Sequence, residues 1–154
     1  DELGARRRGY VGGESLTDVV FEDLPPHTAN IVETISSLDA KKGQVLRRYY
    51  GEMTRVLREL YRVLKPGKAA IVVVGSSVMR SQNTETHLCL AEIGRAVGFA
   101  GERGGTEPLI GVRNLDRNRR MMPAGAQVDL GSQIQQRMHQ EYVIGFCKPR
   151  LVSC

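Results

Sequence analysis

The chain has 154 residues, with 22 Lys plus Arg against 17 Asp plus Glu for a net charge of +5, and is 41% hydrophobic. That length and composition fit one globular domain with a real core and exclude a disordered or fibrous chain. The longest apolar run, Ala69 to Val74, is far short of a membrane span. No basic leader with an apolar stretch opens the chain, so no secretory signal is expected. Three cysteines, Cys89, Cys147 and Cys154, are odd in number and lack paired spacing, which argues against a disulfide framework and a zinc site and suits a reducing cytoplasm. Arg outnumbers Lys by 17 to 5. Guanidinium grips phosphate in a planar, two-pronged way, so the balance permits a nucleic-acid partner without requiring one.

In chain order, residues 1–43 read as a connecting segment, mostly loop. Arg6, Arg7 and Arg8 form a basic run that is expected to be solvated. Pro25-Pro26 is expected to break whatever precedes it, leaving one short helix at Ala29 to Ile35. Residues 44–150 form the structured part and 151–154 a tail. From Gln44 to Leu64, Leu46, Tyr49, Tyr50, Met53, Val56, Leu57, Leu60, Tyr61 and Leu64 recur at spacings of three and four. That is the apolar stripe of a long helix, with the three tyrosines in the core and Arg47, Arg48, Glu52 and Arg55 on the other face. Pro66-Gly67 stops it.

Ala69 to Val74 is β-branched and unalternating, which predicts a parallel strand covered on both faces. It ends at Gly75-Ser76-Ser77, the position where open α/β sheets hold their ligands. A second helix, capped by Asn83 or Thr84, carries His87, Leu88, Leu90, Ala91, Ile93 and Val97 on its apolar side, with Gly98 as its stop and Phe99 folding back. Cys89 on that helix reads as a small buried hydrophobe. Leu109 to Leu115 is a weaker strand, and a basic turn with Arg117, Arg119 and Arg120 follows. Gly131 to His139 suggests a short helix and Tyr142 to Phe146 a last strand. The order is that of an α/β protein, yet three strands are too few to cover Ile71 to Val74 on both faces. His27, His87 and His139 share no ligand spacing with Cys or acids, so no metal is expected.

Arg62-Val63-Leu64-Lys65-Pro66-Gly67 before an apolar strand resembles the C-terminal half of class I S-adenosylmethionine-dependent methyltransferases. Lys68 stands where that family usually has a second glycine. The stretch from Arg117 to Pro123, then Gly131 to His139, then Glu141 to Phe146, is similar to the tail of DNA amino-methyltransferases of the N4-cytosine/N6-adenine type. The resemblance runs from about Asp1 to Pro149. It implies the later strands and helices of a Rossmann-like sheet with an antiparallel last strand, S-adenosylmethionine as cofactor, and DNA as partner. Gly75, Ser76 and Ser77 would then wall the target-base pocket, and Arg117, Arg119 and Arg120 would grip DNA.

The same resemblance makes absences informative. The family holds its cofactor on a Gly-rich loop after the first strand and orients the amine with an Asp/Ser/Asn-Pro-Pro-aromatic motif. Gly101 to Gly105 follows a helix and is not such a loop. Asp23-Leu24-Pro25-Pro26-His27 has one residue too many and a poorer stacking ring, so it is not that motif. The chain is therefore expected to be a C-terminal fragment with no catalytic residue of its own, inactive alone, and prone to self-associate through an open sheet edge. Alternatives are a fragment of an RNA base methyltransferase and a non-catalytic scaffold with the same half-fold.

Overall fold

The computed structural model describes residues 11, 21–75, 77–101, 105–115 and 140–150. The expected helix at Gly131 to His139 and the basic run at Arg6 to Arg8 lie outside them. Among the described residues the chain is a mixed α/β structure of three helices, a three-stranded antiparallel sheet and a two-stranded hairpin.

Helix α1 spans Pro26–Leu38, longer at both ends than expected. The proline pair opens this helix, because Pro26 occupies the first turn, where a missing N–H costs nothing; most of the stretch that the pair was expected to break lies outside the described residues. No side chain next to it caps that turn. Glu92, on another helix, does so: its carboxylate accepts from the His27 N–H at 3.0 Å and the Thr28 N–H at 2.8 Å. The Thr28 hydroxyl donates to the same group at 2.7 Å. Helix α2, Ala40–Val63, follows after one residue, Asp39, whose carboxylate accepts from the Lys42 N–H at 3.1 Å. Its apolar stripe is as expected, with Leu46, Tyr50 and Leu57 buried. Arg48 departs from that expectation: it is only 9% exposed, with its Nε 2.7 Å from Glu52 Oε1.

Strand β1, Ala69–Gly75, leads to the hairpin of β2, Val78–Met79, and β3, Gln82–Asn83. Arg80 and Ser81 form its two-residue turn, both at positive φ (50° and 62°), the geometry that Asn-Gly satisfies at least cost. Arg80 is held there by Asp39, which accepts from its Nε at 2.8 Å. Ser81 has no such anchor among its described contacts. Ser81→Gly should therefore raise the melting temperature by roughly 2–4 °C, about 1 kcal/mol of relieved backbone strain, by scanning calorimetry.

Helix α3, Thr86–Val97, ends at Gly98 with φ 117°, and the Phe99 N–H donates to Gly94 O at 3.0 Å. Phe99 folds back into the core at 2% exposure, as expected. The expected caps act differently. Asn83 Oδ1 accepts from the Glu85 N–H at 3.0 Å, while the Thr84 hydroxyl turns away to Ser77 O at 3.1 Å. Cys89 is fully buried, and that burial pushes its thiol above the ordinary range.

Strands β4, Leu109–Asn114, and β5, Gln140–Cys147, complete a sheet of order β1-β5-β4. The last strand is antiparallel to both neighbours, as expected, so β1 and β4 run the same way. The expectation that β1 is a parallel strand covered on both faces is corrected. Its described pairing is to β5 alone, antiparallel, and its residues alternate between half-buried and exposed. Ala70, Val72 and Val74 face the helices together with Ile144 and Phe146, which are fully buried. Ile71 and Val73 face outward at 63% and 51% exposure. A run of valines carries no alternation signal because every position is apolar, so the sequence cannot show which face is covered.

Candidate functional site

At the carboxyl end of β1 the chain leaves a cleft of about 360 Å³. Its described walls are Val11; Val45, Leu46 and Tyr49 from α2; Val74 and Gly75 from β1; Ser77 and Met79 at the hairpin; and Thr86 from the start of α3. Each element reaches it for a local reason. Asp39 sets where α2 begins and pairs with Arg80, which pins the hairpin against that end of the helix. Thr84 fastens the return: its N–H and hydroxyl both donate to Ser77 O, at 3.0 and 3.1 Å. The Tyr50 hydroxyl donates to Thr84 O at 2.9 Å from within the core.

Two of the three expected pocket residues, Gly75 and Ser77, line this cleft, and Ser76 lies outside the described residues. Gly75 is not required by backbone geometry. It has no positive φ, and a methyl group added there would meet no atom within 4 Å. That leaves open space at the end of the strand. Arg117, Arg119 and Arg120 lie outside the described residues.

The cleft is predominantly apolar, with Tyr49, Ser77 and Thr86 the hydroxyl-bearing residues among its described walls. Burial raises the Tyr49 phenol above its ordinary range, so it stays a neutral donor at physiological pH. No carboxylate, imidazole or ammonium is among its described lining residues. The arrangement suits a small, uncharged, largely apolar group, and its described residues supply no acid or base. Its size is at the lower end for small-molecule sites.

Sequence reasoning placed Tyr49 in the core, yet it is only half-buried and forms a wall of the cleft. A stripe at helical spacing marks a buried side without showing where that side ends. The aromatic pair His87–Tyr142 was also missed: the rings stack at 3.6 Å and 2°, joining α3 to β5 beside Val74, the strand partner of Tyr142. Residues 55 positions apart give no sequence signal of contact. Desolvation lowers the His87 pKa, opposed by Glu85. This favours the neutral imidazole.

A second cleft, about 320 Å³, is lined by His27, Leu88, Glu92, Arg95, Glu107 and Ile110 among others, and shares no residue with the first. His27 Nε2 stands 3.0 Å from Glu85 Oε2, and Glu92 is committed to capping α1. The Asp23 to His27 stretch thus begins a helix, and its Pro25 carbonyl accepts the Ala29 N–H at 2.8 Å. At the other rejected candidate, the Gly101 N–H donates to Gly105 O at 2.6 Å, so that amide is not free for a ligand.

No family model, no curated protein and no solved structure matches this chain. No helix of the described residues is long and apolar enough to cross a membrane. No group of three or more His, Cys, Asp or Glu that could hold a metal occurs among them.

Proposed function

We propose that this chain forms the C-terminal part of a cytoplasmic, S-adenosylmethionine-dependent DNA methyltransferase acting on an exocyclic base amine, with the β1 cleft as a wall of the target-base pocket. The observation that carries this reading is the cleft's position at the carboxyl end of β1, where Gly75 leaves open space beside a tyrosine and a neutral, mostly apolar lining. A flipped base is flat, uncharged and needs such walls. The antiparallel last strand and the segments quoted from the tail support the same reading.

The described residues do not fit the cofactor. The Gly101 amide is taken up by Gly105, and no described Gly-rich turn after a strand offers free N–H groups. Methyl transfer to an amine needs the lone pair freed and aimed in line, and the groups that would do this belong to a partner segment that pairs with the open edge of β1. The chain alone binds DNA and does not methylate it.

Three measurements on the purified chain test this. Titration of S-adenosylmethionine by calorimetry should give no binding heat, and labelled methyl should not reach DNA. Duplex DNA should bind with an affinity that falls as salt rises. Replacing Arg117, Arg119 and Arg120 with alanine should lower the slope of log K against log salt by about 3, close to one for each phosphate that is no longer neutralised. Micromolar cofactor binding, or a salt slope that ignores the three arginines, overturns the reading.

A further inference from the structure

The open edge of β1 has a feature that the exposure of Ile71 and Val73 alone does not show. The Cys147 N–H and C=O are both taken up by Ala100, at 3.0 and 2.9 Å, so the Ala69–Cys147 pair exchanges no bonds. One residue beyond it, the Lys148 N–H donates to Lys68 O at 2.8 Å. Antiparallel ladders alternate, so Ala70, Val72 and Val74 carry the bonds to β5. The N–H and C=O groups of Ala69, Ile71, Val73 and Gly75 therefore all point to the edge that no described strand covers. The same residues that present bare side chains present bare backbone.

We infer that in the isolated chain this edge docks a second copy, β1 against β1, across a two-fold axis at Val72. An antiparallel pairing centred there sets Ala69 opposite Gly75 and Ile71 opposite Val73 of the second copy. Every outward N–H then meets an outward C=O, and each such pair exchanges two bonds. Registers centred elsewhere leave part of the strand unpaired. The edge is also electrically self-compatible: no charged side chain lies within Ala69–Gly75, so the axis brings no like charges together. The devices that blunt sheet edges are absent from this strand, whereas β4 at the other edge is preceded by Pro108 and carries Arg113 paired with Glu141. The result continues the sheet as β4-β5-β1-β1-β5-β4.

The size of the contact sets its strength. Seven residues span about 23 Å of edge. With one sheet thickness of about 10 Å that is on the order of 230 Å² a side, well under the roughly 800 Å² of a standard interface. The dimer is therefore weak, with a dissociation constant on the order of 100 µM.

Sedimentation equilibrium of the whole chain from about 10 µM to 1 mM, joined to amide exchange by NMR, tests this. The expected result is a monomer–dimer equilibrium in which the Ile71 and Val73 amides gain about fourfold protection between the two ends of that range, as the free fraction falls with a dissociation constant of about 100 µM. The Val72 and Val74 amides, already bonded to β5, should not change. The double substitution I71K/V73K puts lysines opposite one another in this register, at side chains already more than half exposed, and should leave a folded monomer throughout. A wild-type monomer at 1 mM, protection that rises outside β1, or a dimer that survives I71K/V73K overturns the inference. The test needs neither cofactor nor nucleic acid, so its outcome is separate from that of the proposed function.

Discussion

Replacing Gly43 with alanine lowers the melting temperature by roughly 4–8 °C, about 2 kcal/mol. Helix propensity predicts the opposite sign, since alanine in a helix interior gains about 1 kcal/mol over glycine. The packing of α1 against α2 decides it. Only Asp39 separates the two helices, so their chains run back side by side at once, and Gly43 faces Ser36. A Cβ on Gly43 would stand 2.6 Å from Ser36 Cα, a backbone atom that no rotamer change can move. Relief requires the helices to separate, which loosens the burial of Ile35 and Leu46 beside them. The gain of about 1 kcal/mol is smaller than an overpacking cost of about 3 kcal/mol. Calorimetry of G43A checks the sign. A variant as stable as the parent would mean that the two helices are not packed this closely.

The second large effect comes from Glu92. Three donors converge on its carboxylate at the start of α1: the His27 N–H, the Thr28 N–H and the Thr28 hydroxyl. Burial works against the charged form, but the Thr28 hydroxyl, then the two amides, and then His27 outweigh it and hold Glu92 below its ordinary 4.5. A carboxylate with a lowered pKa contributes stability that is fully present above the unfolded value, near 4.5, and is lost as pH falls through the folded value. Glu92→Gln keeps the shape but removes the charge and turns one amide N–H toward a donor. It should cost about 2 kcal/mol at neutral pH, from weakened charge-assisted bonds at a helix N-terminus. The gap between variant and parent should close below pH 4.5. Asp39, also held low by Arg80 and the Lys42 amide, titrates in both proteins, so the difference between them isolates Glu92. Denaturant midpoints taken from pH 7 downward through the acid range measure it. A gap that does not narrow as the pH falls would assign the effect to the amide N–H turned toward a donor and not to the lost charge.

Both predictions turn on contacts between segments far apart or newly reversed in direction, and that is where sequence reading stops. The stripe from Leu46 to Leu64 was enough to place α2, because its apolar spacing matches one helical face and its neighbours do not. Gly98 and Phe99 ended α3 as expected, since a left-handed residue after a helix is a local demand that glycine meets. Gly75 and Ser77 were found at the end of a strand by position alone, and they do line a cleft. Tyr49, Met79 and the stacked His87–Tyr142 pair were not found, because their proximity depends on how α2, the hairpin, α3 and β5 meet.

What the sequence by itself determined is local: the α/β element order, the extent of the apolar stripe, the helix stop, the burial of Cys89 and Tyr50. Those follow from side-chain periodicity and from backbone preferences that act over one or two turns. Tertiary structure alone decided that Pro25-Pro26 opens a helix, since its cap comes from Glu92 on another one. It alone decided which face of β1 is covered: among the described residues Ala70, Val72 and Val74 lie against the core while Ile71 and Val73 stand outward. A string of β-branched residues fits either side of a sheet equally well, and only the neighbours that pack against it choose which side is inside.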